Sequence, residues 1–238
     1  MEASARALNP GFTQRMQHGR PYVRLKLAVS LDGRSALAHG ASKWISGEAA
    51  RQDAQCWRAR SSAILTGIGT VLADDPSLTV RAFDLAGRQP LRVVVDSELR
   101  LPVHAKLLAL PGATLVATAN NNADRAAALS AAGAALLVVR GADGRVDLTA
   151  LLAELARREV NELLVEAGAT LSGAMLHAGL VDELIVYLAP HVLGAGARGM
   201  FDIPVLTRLS ARVSLAISDV RAVGSDWRII AKPVKSEK

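Results

Sequence analysis

The stretch YVRLKLAVSLDGRSALAHGASKWISGEAARQDAQCWRARSSAILTGIGTVLADDPSLTVR, residues 22–81, decides the fold. In its first nine residues Val23, Leu25, Leu27 and Val29 alternate with Arg24, Lys26, Ala28 and Ser30, the period-2 signature of a strand with a hydrophobic and a polar face. Lys26 and Ala28 share the second face, where a small residue beside a cation leaves room for a flat ligand that meets the ammonium group. A turn at Asp32-Gly33 follows. From 47 to 60 the period becomes helical: Ala50, Ala54 and Trp57 form one stripe, Arg51, Gln55 and Arg58 an adjacent polar one, and Ser46 stands at the N-cap position.

Outward from this stretch, short β-branched runs alternate with alanine-rich helical patterns, which predicts an α/β fold with a largely parallel sheet. The expected strands are 22–30, 62–66, 91–96, 114–118, 135–139, 162–166 and 183–189, closed by an antiparallel pair at 212–221 and 227–232. The expected helices are 47–60, 123–132, 147–158 opened by Asp147, and 170–178. Residues 81–90 read as a loop. Residues 1–20 have little apolar periodicity and read as an N-terminal tail, with one domain from 21 to 238.

Half of the 238 residues are hydrophobic, enough for a sizeable core. The one cysteine, Cys56, allows no internal disulfide, and no secretory leader pattern opens the sequence; both point to the cytoplasm. The longest run of apolar or small residues, 126–139, is too short for a membrane span. The net charge of +6 fits nucleic acid, a membrane surface or phosphorylated small molecules. Aromatic residues make up only 3% and there is no lysine/arginine run of five, which argues against nucleic acid. Phosphorylated small molecules fit better, beside the plain alternative of a basic, soluble surface.

The strand at 162–166 ends on Glu166 and passes into GATLSGA, residues 168–174, a glycine-bounded turn that opens a helix. Such a turn directs backbone N–H groups and the helix dipole at an anion. It is neither a Walker A loop nor a full G-x-G-x-x-G, so by itself it reads equally as a tight turn. Glu166 lies at the strand edge where open α/β sheets place ligands, and either an arginine or a ligand would satisfy it. Asp74-Asp75 lacks the further ligands a metal needs, and the five histidines are scattered, so no metal is expected.

The segments LKLAVSLDGRSA (25–36), SKWISGEAARQDAQCWRAR (42–60), TGIGTVLADDPSLTVR (66–81), VVVDS (93–97) and LLVEAGATLSGAMLHAGLVDELIVYLAPHVLG (163–194) together resemble the reductase domain of the bifunctional riboflavin-biosynthesis deaminase/reductase. The resemblance implies a dihydrofolate-reductase-like, three-layer α/β/α fold around a mostly parallel mixed sheet of eight or nine strands. It also implies NADPH-dependent reduction of 5-amino-6-(5-phospho-D-ribosylamino)uracil to the ribitylamino compound, by a cytoplasmic homodimer. It assigns Lys26 and Glu166 to catalysis, and Ser42, Arg58, Leu78, Arg81 and Glu166 to the substrate. The cofactor positions are Ala28, Trp44, Thr70, Asp74 and Ser97, with Gly168, Ala169, Thr170, Leu171, Ser172, Gly173 and Ala174 at the phosphates. Arg100 is a candidate for the extra phosphate of NADPH, and Asp32 for a supporting hydrogen bond.

In that family a zinc deaminase domain precedes the reductase, and residues 1–20 look like its end. The deaminase motifs H-x-E and P-C-x-x-C are absent, so no deaminase activity is expected of this sequence. The rivals are another reductase of the same fold acting on a pterin, and a non-catalytic basic module that binds a nucleotide or RNA.

Overall fold

The computed structural model describes residues 8–234. In chain order these form α1 (Pro10–His18), β1 (Tyr22–Ser30), β2 (Arg34–Ala36), α2 (Glu48–Arg60), β3 (Ala63–Gly67), α3 (Ile68–Asp74), β4 (Leu91–Val95), α4 (Lys106–Ala109), β5 (Thr114–Thr118), α5 (Ala123–Ala131), β6 (Ala134–Val138), α6 (Leu148–Arg157), β7 (Glu162–Val165), α7 (Ala169–His177), β8 (Glu183–Ala189), β9 (Arg198–Gly199), β10 (Leu215–Val223) and β11 (Asp226–Pro233). The chain divides into two compact units, each assembled from separated segments. Among the described residues, one holds those up to Tyr22 and Gln55–Leu164, and the other holds Val23–Ala54 and those from Val165 on.

In the first unit the strands lie in the order β7-β3-β4-β5-β6, and β3, β4, β5 and β6 pair in parallel. Gly67 is level with Val95, Val95 with Ala117, and Ala117 with Leu137, so these strands end in one row. That row is the edge at which parallel sheets present their loops to ligands. Ile68, Val71, Val94, Leu107, Val116 and Leu129 close the core beneath it. Burial on both faces suits the continuous β-branched run Val93-Val94-Val95 better than an alternating one would.

Helix α1 belongs to this unit. Its start carries both classical signals, with the Asn9 side chain accepting from the Phe12 N–H and Pro10 at the first position, and Gly19 in the left-handed region ends it. The Arg15 Nε donates to Asn161 Oδ1 at 2.7 Å. Gly11 lies so close to Asn161 and Glu162 that a Cβ would stand 2.5 Å from Glu162 Cγ. Part of the expected tail is thus a docked helix.

The second unit has the order β10-β11-β8-β1. β1 and β8 are parallel, with Lys26 level with Ile185 and Ala28 with Tyr187, while β11 is antiparallel to both β8 and β10. The expected polar face of β1 needs one correction. Arg24 and Ser30 are buried together with Val23, Leu25, Leu27 and Val29, so both faces of this strand are covered, unlike a strand with one solvated face. The buried guanidinium of Arg24 is compensated by Glu183 at 2.8 Å.

All nine expected strands are present, the largest displacement being β10, which runs from Leu215 to Val223. Asp147 caps α6 as expected, its side chain accepting from the Ala150 N–H. Ser46 does not cap α2: the helix begins at Glu48, and it is the Gly47 carbonyl that accepts from the Arg51 N–H. The short elements α3, α4, β2 and β9 add to those expected. In α3, Gly69 and the three β-branched residues Ile68, Thr70 and Val71 weaken the local helical preference, so packing of Ile68 and Val71 in the core decides the conformation.

Arg92, on β4, is fully buried. Its Nε donates to Thr114 Oγ1 at 3.0 Å, Nη1 to the Pro111 carbonyl at 2.7 Å, and Nη2 to the carbonyls of Leu110 and Gly112. The guanidinium therefore closes the turn between α4 and β5, at the cost of burial that pulls its pKa below the ordinary value. Arg92→Leu should strand these acceptors in the interior and destabilise the protein by about 3 kcal/mol, read as a lower urea midpoint with an unchanged slope.

Candidate active site

In the second unit Lys26 is half-buried on β1 and its Nζ lies 5.6 Å from the centre of the Tyr187 ring, within cation–π range. Tyr187 is fully buried, and its hydroxyl donates to Asp53 Oδ2 at 2.5 Å. Asp53 also accepts from Arg228 at 2.7 Å, and Arg228 reaches Asp219, which pairs with Arg221. Burial lowers the pKa of Arg228, but the carboxylates of Asp53 and Asp219 outweigh it and leave a net rise. The platform under Lys26 is therefore an aromatic ring locked by a charged network.

Trp44 is 70% exposed, and the guanidinium carbon of Arg51 sits 4.6 Å from its ring centre. Arg51 is tied down by donation to the Ser46 carbonyl at 2.6 Å. A cavity of about 350 Å3 opens here, lined in part by Trp44, Ile45, Arg51, His191 and Asp226. Buried Asp226 accepts from the Gly47 N–H at 2.8 Å and shapes the floor.

Glu166 directly follows β7 and is half-buried. Gly168 occupies the N-cap of α7 and so contributes no side-chain cap of its own. A glycine there leaves the first turn accessible to an anion. The seven residues are not equivalent, however. Gly168, Thr170 and Ala174 are exposed, whereas Ser172 and Gly173 are buried. The Ser172 hydroxyl donates to the Ala167 carbonyl at 3.1 Å and stiffens the turn. Gly173 admits the crossing backbone of Asp202: a Cβ at this position would stand 2.1 Å from the Asp202 carbonyl oxygen. The Asp202 N–H donates to the Ala169 carbonyl, and its carboxylate accepts from Thr170 Oγ1 at 3.4 Å.

Asp32 is held in place by its own unit. It accepts from Ser30 Oγ at 2.5 Å and from the N–H groups of Leu193 and Gly194 at 3.1 and 2.8 Å. The Ser30 hydroxyl, followed by these two amides, lowers its pKa to about 2. Its work is to fasten the turn after β1 to the loop after β8.

In the first unit Thr70 and Asp74 are half-buried on α3, one turn apart. Ser97, just beyond β4, accepts from the Val146 N–H through its hydroxyl at 3.1 Å. Arg100 pairs with Glu98 at 3.4 Å, both largely exposed. Leu78 is buried, and its φ of +47° lies in the left-handed region that a leucine seldom adopts. Arg58 donates to the Thr79 carbonyl at 3.0 Å, and Arg81 is exposed. Ser42 is half-buried in the segment before α2. Among the described residues no group of three metal-ligating side chains converges.

Each unit thus combines strands and helices in an α/β arrangement, and the second bears a glycine-capped helix, a lysine on β1 and an exposed indole. Residues 21–229 match the family model of the RibD C-terminal domain. The chain is 43% identical over 238 residues to the riboflavin biosynthesis protein RibD of Escherichia coli (strain K12), a match covering 95% of this chain and 64% of that protein. Among solved structures, Acinetobacter baumannii RibD superposes with a TM-score of 0.87 at 42% identity, over 97% of this chain and 63% of its own. A Thermotoga maritima diaminohydroxyphosphoribosylaminopyrimidine deaminase/5-amino-6-(5-phosphoribosylamino)uracil reductase gives 0.82 at 25% identity, over 98% and 62%. The chain belongs to the RibD C-terminal domain family and has its α/β fold; it spans a little under two thirds of these relatives.

Gly173→Ala should cost at least about 3 kcal/mol, because the obstacle is backbone that cannot swing aside; chemical denaturation measures it. For Asp32 the folded pKa near 2 lies below the unfolded value of about 3.9. Its stabilisation is thus complete above about pH 4 and is lost as pH falls towards 2. The stability gap between wild type and Asp32→Asn should be constant from pH 7 to 5 and shrink below pH 4, as followed by thermal melts across that range.

Proposed function

We propose that this chain is the reductase that converts 5-amino-6-(5-phospho-D-ribosylamino)uracil into 5-amino-6-(5-phospho-D-ribitylamino)uracil in riboflavin biosynthesis, using NADPH. The observation that carries the reading is the match of nearly the whole chain to RibD proteins, one of which bears the name of this reductase. The residues fit a dinucleotide: α7 opens on a glycine, which brings no side chain of its own to the helix start, and an exposed indole is braced by an arginine.

When bound, NADPH supplies the hydride that reduces C1 of the ribose. The chain's own groups bind and orient. Gly168, Ala169, Thr170, Leu171, Ser172, Gly173 and Ala174 form the phosphate turn, the exposed members receiving the anion and the buried pair, Ser172 and Gly173, keeping the turn in shape. Ala28, Trp44, Thr70, Asp74 and Ser97 complete the cofactor contacts. Ser42, Arg58, Leu78 and Arg81 take the substrate, where a guanidinium fork suits a sugar phosphate. Lys26 stabilises or protonates the heteroatom released at C1, and Glu166 orients the sugar. The tyrosine beneath Lys26 keeps the cation from wandering.

The working form is a cytoplasmic homodimer in this reading. β10 ends the strand order of its unit and exposes Leu215, Ile217 and Val220, an apolar edge that isolated soluble domains avoid. No described helix is long and apolar enough to cross a membrane.

The test is NADPH oxidation by the purified chain with the ribosylaminopyrimidine, followed by identification of the product. The ribitylaminopyrimidine supports the reading, and a reduced pterin formed from a pterin substrate instead supports the same fold's other chemistry. Saturating NADPH should raise the melting temperature, since a ligand specific to the folded state stabilises it; an unmoved transition would favour a non-catalytic basic module. Lys26→Ala should lower kcat by about a hundredfold while changing NADPH affinity little. Normal kcat in that variant removes Lys26 from the mechanism.

A further inference from the structure

Residues 76–81 lie outside every helix and strand, yet Leu78, Thr79 and Val80 are all buried, with 2%, 7% and 4% exposure. Their peptide groups have no sheet ladder to join, and unpaired they would each cost free energy comparable to a lost hydrogen bond. Side chains supply the partners. Gln89, just before β4, accepts from the Val80 N–H at 2.8 Å and donates to the Val80 carbonyl at 3.1 Å, so its primary amide imitates the peptide of a neighbouring strand. Gln55 on α2, itself buried, accepts from the Arg81 N–H at 2.9 Å. Arg58, one turn further along α2, donates to the Thr79 carbonyl at 3.0 Å.

Three consecutive residues are thus read by an alternating set of donors and acceptors from a helix and a strand start. Such a set accepts one register only. A shift by one residue would bring carbonyl against carbonyl. The same segment begins at Leu78, whose φ of +47° a leucine adopts only when its surroundings impose it.

We propose that Gln89 and Gln55 are positioning residues for the reaction: they fix the backbone of 78–81, and so the directions of the Leu78 backbone and the Arg81 side chain, against the phosphorylated substrate. This rests on the assignment of Leu78 and Arg81 to the substrate. The glutamines act through the segment and need no contact with the substrate themselves. Neutral amides suit the task because a carboxylate at Gln89 would oppose the Val80 carbonyl.

The experiment compares Gln89→Leu, Gln89→Glu and Gln55→Leu with wild type, and with Gln52→Leu, an exposed position on α2 whose side chain donates to Glu48. Steady-state kinetics, the NADPH-induced melting shift and amide exchange at Val80 and Arg81 are recorded for each. Both Gln89 variants should raise KM for the ribosylaminopyrimidine by about tenfold or more, as expected when a binding group is displaced by a fraction of an ångström. The NADPH-induced shift should remain, Val80 exchange should quicken in the Gln89 variants, Arg81 exchange in Gln55→Leu, and Gln52→Leu should match wild type. Where a leucine variant is too unstable for kinetics, the exchange pattern of the isosteric Gln89→Glu decides. Unchanged KM in variants that bind NADPH, or unchanged protection at Val80 and Arg81, overturns the proposal. A wild-type chain that does not turn over the compound at all fails the functional reading first, and the positioning role falls with it.

Discussion

A buried peptide group outside a helix or strand must still find a partner, and at several connections here it is a side chain that supplies it. Asp32 holds the amides of Leu193 and Gly194, Asp226 that of Gly47, and Asp96 that of Leu101. Arg92 gathers the carbonyls of 110–112, and Arg125 those of Leu99 and Leu101. Gln55, Gln89 and Arg58 do the same for 79–81. The polar residues that look dispersed in the sequence are thus the fasteners of its loops. Asp32, Gln89, Asp96 and Asp226 sit at or near the ends of strands, where the ladder stops, while Gln55, Arg58 and Arg125 reach out from helices.

This arrangement explains how a fold dominated by small aliphatic residues carries specific chemistry. The strands contribute little beyond β-branched packing, and the parallel register brings their ends level. Precision comes from the fastened loops. The lysine of β1 stands on a tyrosine whose hydroxyl is gripped by Asp53, and the exposed indole of Trp44 is braced by Arg51. In both cases a group proposed to face a ligand rests on a neighbour that loses its freedom before any ligand arrives.

Much of the architecture was legible in the residues alone. The period-2 run of β1 and short β-branched runs elsewhere located all nine main strands, and the Asp147 cap and the Ala50, Ala54, Trp57 stripe located α6 and α2. What escaped notice was set by tertiary contact. Helix α3 forms although Gly69 lies within it, because Ile68 and Val71 complete a core. The face of β1 bearing Arg24 looked solvated because periodicity registers polarity, and a charge buried through its partner Glu183 is indistinguishable in sequence from an exposed one. The docking of α1 had visible signals in Asn9, Pro10 and Gly19, but weak apolar periodicity concealed them. For the candidate site, Lys26, Glu166 and the glycine turn stood out by position. Gln55 and Gln89 did not, since an amide that bonds to backbone leaves no spacing or charge pattern. Tyr187 and Asp202 were equally silent, being defined by what crosses them.

The choice of amides at 79–81 has a chemical corollary. Neither a glutamine nor an arginine changes its protonation as pH falls towards 2, whereas the loop after β8 depends on an acid that titrates there. Acidification therefore loosens one fastening and leaves the other untouched, so the strip that carries Leu78 and Arg81 keeps its shape under conditions in which the Asp32 turn has begun to let go.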